Sequence, residues 1–131
     1  MKLLKIFILG FAICMVQTAC SGVKISYSET TPIPADVQIP SLMLHGDKYT
    51  FVVATEPNVT CYAAIGFWDK NDNWIFDELP STRADDTGIC TWDWEIPSNA
   101  KDGDGEFRGY VENDKQSSGF IPKNFCIEIC P

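Results

Sequence analysis

Side chains with oxygen atoms between residues 69 and 78 have a spacing that could serve to bind a metal ion. Four of them fall at positions 1, 3, 5 and 9 of a calcium-binding loop: Asp69, Asn71, Asn73 and Asp77. Ca²⁺ takes oxygen ligands at such positions, but an EF-hand loop has glycine at position 6 and glutamate at position 12, where this chain has Trp74 and Pro80. Asn and Asp also form polar turns without a metal. The segment therefore predicts either a Ca²⁺ site or a polar hairpin between two strands.

Two tryptophans, Trp68 and Trp74, adjoin this segment and add a second kind of chemistry. An exposed indole ring beside acidic oxygens is a stacking surface for a sugar, whereas a buried indole belongs to the core. The sequence thus includes a calcium-dependent carbohydrate-binding module as one hypothesis.

Catalytic motifs are weak in this sequence, and we expect no enzyme activity. The one histidine, His45, lies in a turn before a strand, and no Gly-x-Ser-x-Gly motif occurs. Aspartate and glutamate are too abundant for spacing to single out a glycosidase pair. A domain of this size also rarely encloses a deep catalytic cleft.

The first 20 residues have the pattern of an export signal. Lys2 precedes an apolar run over 3–16, and Lys5 lies near the start of that run. The run is shorter than the ~20 residues of a membrane-spanning helix. Cys20 follows Thr18-Ala19 and is similar to the acylated cysteine of a bacterial lipobox, although Gln17 stands where leucine is usual. We expect a signal peptide over 1–19, lipidation of Cys20, a flexible linker over 20–36 and one folded domain over 37–131.

The charge of the mature chain excludes several partners. Loss of Lys2 and Lys5 with the signal peptide leaves 8 Lys and Arg against 18 Asp and Glu, a formal charge of −10. Nucleic-acid binding depends on Lys and Arg at phosphates, so we expect no nucleic-acid partner. We expect contact with the membrane through the lipid anchor only. The acidity favours solubility, or association with cations or basic surfaces.

Four cysteines remain for disulfides once Cys14 and Cys20 are set aside: Cys61, Cys90, Cys126 and Cys130. An even number in a small exported domain predicts two bridges. Four residues of a regular strand span about 13 Å, beyond the ~7 Å limit for the Cα atoms of a cystine. If 125–130 is such a strand, Cys126 and Cys130 pair with Cys61 and Cys90, in either of two patterns.

Apolar residues alternate with a period of two along most of the remaining chain, which predicts strands. Five runs show it: 48–54, 60–68, 89–96, 105–112 and 125–130. Further strands are expected within 37–43 and 74–76, and the acidic run 102–106 is expected to be a turn. Trp92 and Trp94 share a face with Ile96 and are expected in the core. The pattern is typical of an all-β antiparallel sandwich of about seven strands, stapled by disulfides.

The segment Ala84-Asp85-Asp86-Thr87-Gly88-Ile89-Cys90-Thr91-Trp92-Asp93-Trp94 resembles small Ig-like domains of exported bacterial proteins. These domains have an Ala-Asp turn, a glycine and a strand with a Trp-x-Trp pair, preceded by a strand that begins with cysteine and followed by a last strand with another. The resemblance covers residues 40–131. It implies an Ig-like sandwich and favours the pairing Cys61–Cys130 with Cys90–Cys126.

Taken together, the sequence predicts a non-catalytic, exported Ig-like module, membrane-anchored or secreted. Its expected role is surface binding, to an unknown protein or glycan, or envelope structure. Calcium-dependent carbohydrate binding is the alternative, with Ca²⁺ as its one possible cofactor.

Overall fold

A computed structural model of the chain describes residues 31–130, whose regular structure consists of β-strands. The strands are β1 Asp36–Gln38, β2 Leu42–Met43, β3 Lys48–Ala54, β4 Thr60–Asp69, β5 Trp74–Glu78, β6 Thr82–Arg83, β7 Ile89–Glu95, β8 Ala100–Glu112, β9 Ser117–Gly119 and β10 Lys123–Ile127. Within this part of the chain, no helix is long and apolar enough to cross a membrane. The predicted signal peptide over 1–19, Cys20 and residues 20–30 of the predicted linker lie outside the described residues.

The strands form two sheets. The smaller sheet has the order β1-β3-β7, and the larger has β2-β10-β8-β4-β5, with β6 also paired to β4 and β9 to β8. All pairings are antiparallel except that of β2 with β10, which is parallel. With β1, β3 and β7 as strands A, B and E, and β4, β8 and β10 as strands C, F and G, this is the strand order of an Ig-like sandwich. The predicted all-β sandwich is confirmed.

Strand positions agree with the sequence pattern where the alternation is regular. The run 48–54 is β3 with the same bounds, and 60–68 is β4 with one further residue. The run 102–106 is not a turn, because β8 begins at Ala100 and residues 103–107 pair with β10. Pairing with a neighbouring strand therefore overrides the local preference of aspartate and glycine for turns.

The core lies between the two sheets and is rich in aromatic rings. Phe51 on β3 stacks on Phe107 of β8 with ring centroids 5.0 Å apart. Trp92 and Trp94 on β7 are each only 5% exposed, which confirms their predicted burial. Their indole N–H groups donate to the Pro80 carbonyl and to Asp77 Oδ2, at 2.7 and 2.9 Å. Both tryptophans therefore bury their rings without leaving an N–H group unpaired.

The disulfide pairing predicted from the sequence is wrong. The structure pairs Cys61 with Cys90 and Cys126 with Cys130. The first bridge joins β4 to β7, and both its cysteines are fully buried. It therefore ties the two sheets together through the core, whereas each predicted pattern tied an earlier strand to the C-terminal one.

The second bridge is allowed because the last strand ends before Cys130. Strand β10 stops at Ile127, and Glu128 has a φ of +59°. The chain then turns back, and the Ile129 N–H donates to the Ile127 carbonyl at 2.7 Å. This turn brings the Cα atoms of Cys126 and Cys130 to 5.8 Å. The expectation of a regular strand over 125–130 was the error, and Ile129 is consequently 75% exposed.

The folded domain also begins earlier than residue 37. Ile33 is buried in the core, and its N–H donates to Ser118 Oγ at 3.0 Å. Gln116 Nε2 donates to the Thr31 carbonyl at the same distance. Residues 31–36, which the sequence places in the linker, therefore pack against the domain.

Non-reducing peptide mapping should link Cys61 to Cys90 and Cys126 to Cys130. The Cys61→Ala/Cys90→Ala double variant should lose roughly 3–4 kcal/mol of unfolding free energy, because that bridge spans 29 residues. The Cys126→Ala/Cys130→Ala variant should lose about 2 kcal/mol, because its loop is short. Denaturant unfolding measures both losses. A peptide linking Cys61 to Cys130 would contradict the fold.

Gly109→Ala should destabilise the domain, since a Cβ at this position would lie 1.9 Å from the Tyr62 carbonyl oxygen and 2.6 Å from Phe120 Cζ. We expect a loss of about 1–3 kcal/mol, typical of overpacking. Gly119→Ala is the matched control, because the nearest atom to its added Cβ is 3.9 Å away. Equal melting temperatures for the two variants would contradict the packing of Phe120 over Gly109.

Candidate binding face of the larger sheet

The alternation of β4 builds a second surface on the side of the sheet away from the core. Cys61, Ala63, Ile65 and Phe67 are buried inward, so the residues between them point outward. Cross-strand partners share a face, and the register places outward residues of β5 and β8 beside those of β4. We call this surface the aromatic face; its large side chains are Tyr62, Trp68, Trp74, Phe76 and Tyr110.

Three of these rings pack together at one end of the aromatic face. Trp68 and Trp74 are cross-strand partners with centroids 5.2 Å apart, and Trp74 and Phe76 meet edge to face at 5.9 Å. The rings of Trp74 and Phe76 lie over Gly66, where an added Cβ would come within 2.5 Å of Trp74 Cζ2. Glycine at 66 therefore lets the two rings lie down on the sheet.

At the other end, Tyr62 and Tyr110 are cross-strand partners that stack with centroids 4.6 Å apart. Desolvation and the nearby Glu112 carboxylate raise the pKa of Tyr62 above its ordinary value. Its phenol is thus protonated at neutral pH and can donate a hydrogen bond.

The aromatic face is accessible to solvent. Trp68 is 42%, Phe76 39% and Tyr110 40% exposed. The outer face of the smaller sheet is different: its exposed residues include Thr91, Asp93 and Glu95, and Thr50 donates to Asp93. Large exposed rings are therefore grouped on one side of the sandwich, the arrangement expected of an interaction surface.

A pocket of about 500 Å³ lies within the aromatic face, between the two groups of rings. Ala64 contributes its floor, with Glu78 on β5 and Arg108 on β8 as its direct neighbours across the sheet. Tyr62 and Tyr110 form one wall. This volume is in the range of small-molecule sites.

Arg108 is held in place by its neighbours on the face. Its guanidinium carbon lies 3.8 Å above the centroid of the Phe76 ring, and Nη1 is 3.9 Å from Glu106 Oε1. Cation–π contact and a weak ion pair orient the group while its side chain stays half exposed. Within residues 31–130 the guanidinium makes no hydrogen bond, so Arg108 presents N–H donors beside the pocket.

The predicted calcium ligands occupy the turn between β4 and β5. Asp69 is buried, and its Oδ1 accepts from the backbone N–H groups of Asn71 and Asn73 at 2.9 and 2.8 Å. Its Oδ2 accepts from Asn73 Nδ2 at 3.3 Å. The carboxylate therefore closes a polar hairpin turn, the second of the two structures that the segment predicted.

Asp77 lies apart from that turn, on β5, where it accepts from the Trp94 indole. Among residues 31–130, no group of three or more His, Cys, Asp or Glu side chains is arranged to hold a metal ion. The calcium site at Asp69, Asn71, Asn73 and Asp77 stays a prediction from the sequence.

The Ala-Asp turn of the Ig-like resemblance has a physical explanation. Asp85 Oδ1 accepts from the N–H groups of Thr87 and Ile89 and from the Thr87 hydroxyl, at 2.6–3.0 Å. Gly88 has a φ of +81°, a conformation that favours glycine. The turn delivers the chain into β7 and so places Cys90 and Trp92 on the core face.

Sequence reasoning identified Trp68 and Trp74 as stacking groups but missed Tyr62, Tyr110, Glu78 and Arg108. These four come together through strand pairing between distant segments. The available signal was the outward half of β4, where Tyr62 and Trp68 are apolar. His45, in the turn before β3, places Nε2 3.0 Å from Asp102 Oδ1 and belongs to no part of the aromatic face.

A comparison with protein-family models finds no match to this chain, and neither does a comparison with curated proteins. The fold and the aromatic face are therefore the basis for inferring function.

Stability should fall in acid through the two turn aspartates. Hydrogen bonds from Asn73 N–H lower the pKa of Asp69, and those from Thr87 lower the pKa of Asp85. Because the folded-state pKa values are depressed, the charged carboxylates stabilise the fold at neutral pH, and this contribution is lost as the pH falls below about 4.

Thermal melts from pH 7 to pH 2 check this effect. The wild-type melting temperature should fall more steeply below pH 4 than that of the Asp69→Asn/Asp85→Asn variant. The Asp86→Asn variant, whose carboxylate has no hydrogen bond in the turn described above, is the control and should follow the wild type. Parallel curves for all three proteins would contradict the assigned role of the two carboxylates.

Proposed function

We propose that this chain is an exported, lipid-anchored bacterial module that binds a surface ligand through the aromatic face and has no catalytic role. The observation that carries the proposal is the grouping of exposed Trp68, Phe76 and Tyr110 on one outer face of an acidic sandwich. Single exposed apolar residues are common, but a grouped patch marks an interaction site.

Three further features support this proposal. The export signal and Cys20 pattern fit a protein attached outside the cytoplasm. The two disulfides are compatible with an oxidising compartment. They also occupy all four cysteines of residues 31–130, which leaves none of them as a thiolate nucleophile.

A binding role is favoured over a purely structural one by the packing of the aromatic face. Trp68, Phe76 and Tyr110 keep two fifths of their surface in solvent, and rings grouped in this way are typical of an interaction surface. The Gly66 position, shaped to the rings of Trp74 and Phe76, fixes how those rings are presented. A preorganised surface binds at lower entropic cost than a mobile one.

Fractionation of the producing cells tests the anchor. The wild-type protein should be found with the membranes, and Cys20→Ala should move it to the soluble fraction with an unchanged melting temperature. Cys14→Ala is the control and should stay with the membranes, because residue 14 is removed with the signal peptide. An unmodified mature N-terminus at a residue other than 20 in mass spectrometry would contradict lipidation.

Pelleting with isolated cell envelopes tests the face. Soluble Cys20→Ala protein should bind, and adding Trp68→Ala with Tyr110→Ala should weaken binding by at least about tenfold, since each exposed ring contributes on the order of 1 kcal/mol or more. Thr91→Ala with Glu95→Ala, on the opposite face, is the control. Equal binding by all proteins, or no binding by any, would contradict the proposal.

A further inference from the structure

We propose that the ligand of the aromatic face is an uncharged glycan chain, with one sugar ring seated over Ala64 between Glu78 and Arg108. This inference rests on the proposed function and names its ligand class. It differs from the sequence prediction in that it uses no calcium ion and seats the sugar at Ala64, Glu78 and Arg108, with Trp68 and Trp74 kept as stacking groups.

The first support is the chemistry around the pocket. Glu78, Ala64 and Arg108 are successive neighbours across three strands, so the Cα atoms of the charged pair are separated by roughly 9–10 Å. A carboxylate that only accepts and a guanidinium that only donates thus both line the pocket with the methyl group of Ala64. Sugar hydroxyls both donate and accept, so adjacent hydroxyls at the ring's edges satisfy both groups at once.

The second support is the presence of aromatic rings beside the hydrogen-bonding side chains. Aromatic faces carry partial negative charge and attract polarised C–H groups. A pyranose has an apolar C–H face and polar edges, and it therefore matches rings flanked by hydrogen-bonding side chains. The stacked pair Tyr62 and Tyr110 lines the pocket, and Trp68 and Trp74 lie farther along the face, on β4 and β5.

The extent of the aromatic face fits a chain of several sugars. Tyr62 and Trp68 are six residues apart on β4, which corresponds to about 20 Å. Aromatic groups at both ends of this distance, with the pocket between them, suit an extended oligosaccharide better than one small molecule.

An extended peptide fits this surface poorly. Strands β4 and β8 pair along most of their length, and β4 is also paired to β5. The backbone N–H and C=O groups beneath the pocket are consequently used within the sheet, and the edge at which a peptide could add as a strand is the outer edge of β5, beside the aromatic face. A peptide lying across the rings would therefore gain no strand pairing from the sheet beneath it.

Charge decides between neutral and anionic glycans. The outward residues of β5, β6 and β8 include Glu78, Glu106 and Glu112 against Arg83 and Arg108, and the mature chain is strongly acidic. Uronic-acid and sulfated polymers are repelled by such a surface at moderate ionic strength. An uncharged polymer is not repelled by this field.

The test measures binding of the soluble Cys20→Ala protein to two materials. The first is the isolated cell envelope, left untreated, oxidised with periodate, or digested with proteinase. The second is an array of neutral hexasaccharides of glucose, mannose, galactose and xylose, with hyaluronan and alginate as anionic probes. Each measurement is made with added Ca²⁺ and with EDTA.

Three single variants probe the pocket in the background of Cys20→Ala. Ala64→Leu fills the floor from the solvent side, Glu78→Gln removes the anionic acceptor, and Arg108→Lys keeps the charge but loses the planar fork. Each should weaken glycan binding by about 10-fold or more, as expected for a lost hydrogen bond to a charged group or a blocked site. Glu95→Gln, on β7 of the smaller sheet, is the matched control and should bind as the parent does.

The proposal predicts binding to untreated and proteinase-digested envelopes, loss after periodate, at least one neutral hexasaccharide bound on the array, and no effect of EDTA. Loss after proteinase but not after periodate would overturn the glycan and leave a protein ligand of the same face. Binding abolished by EDTA would overturn calcium independence, and preference for hyaluronan or alginate would overturn neutrality. Absence of binding to untreated envelopes would instead overturn the proposed function itself.

Discussion

The two-residue period of β4 is the constraint on which both the core and the aromatic face depend. Its inward residues begin with Cys61, which forms the buried bridge, and continue through Ile65 and Phe67. Its outward residues give the aromatic face Tyr62, the pocket floor at Ala64, the flat position at Gly66, and Trp68. A shift of register by one residue would exchange these two sets. The bridge to β7 and the pairing with β5 and β8 therefore fix the core and the binding surface together.

The inter-sheet bridge helps to keep the face rigid. Cys61 is fixed to Cys90 through the core, and the adjacent Phe51 and Phe107 rings stack between the sheets. The sheet that carries the aromatic face rests on this packed layer. Protein interiors are packed about as densely as organic crystals. A surface backed in this way has few alternative arrangements, and a ligand that fits it pays little entropy for ordering it.

The sequence alone supports the architecture well, because alternation marks strands that have one buried face. Strands β3, β4 and β7 could be located to within a residue or so from that pattern. The disulfide pairing could not be found in this way. It depended on one backbone conformation, the positive φ of Glu128, which ends β10 early and lets Cys130 turn back to Cys126. Glutamate gives no local signal for that conformation. The distance expected along a regular strand was therefore applied to Cys130, which lies beyond the end of the strand.

The candidate site shows a similar division. Trp68 and Trp74 were identifiable because they stand beside a polar hairpin in the sequence. Glu78 and Arg108 were not, because they become neighbours of Ala64 only when β5, β4 and β8 pair in the observed register. Glu78 and Arg108 are 30 positions apart in the chain, and the strand register that places both beside Ala64 cannot be read from a single sequence. Glu78 and Arg108 carry the chemistry of the pocket, so the ligand class could be inferred from the structure but not from the sequence.

Hydroxyl-radical footprinting of the soluble protein, free and bound to isolated envelopes, tests the central claim that the outer face of the larger sheet is the binding surface. Oxidation of Trp68, Phe76 and Tyr110 should fall on binding, because the ligand covers them. Leu44 and Ile129 lie outside the aromatic face and are 43% and 75% exposed, and their oxidation should not change. Protection of Leu44 or Ile129, with Trp68 and Tyr110 oxidised as in the free protein, would contradict the assignment of the face.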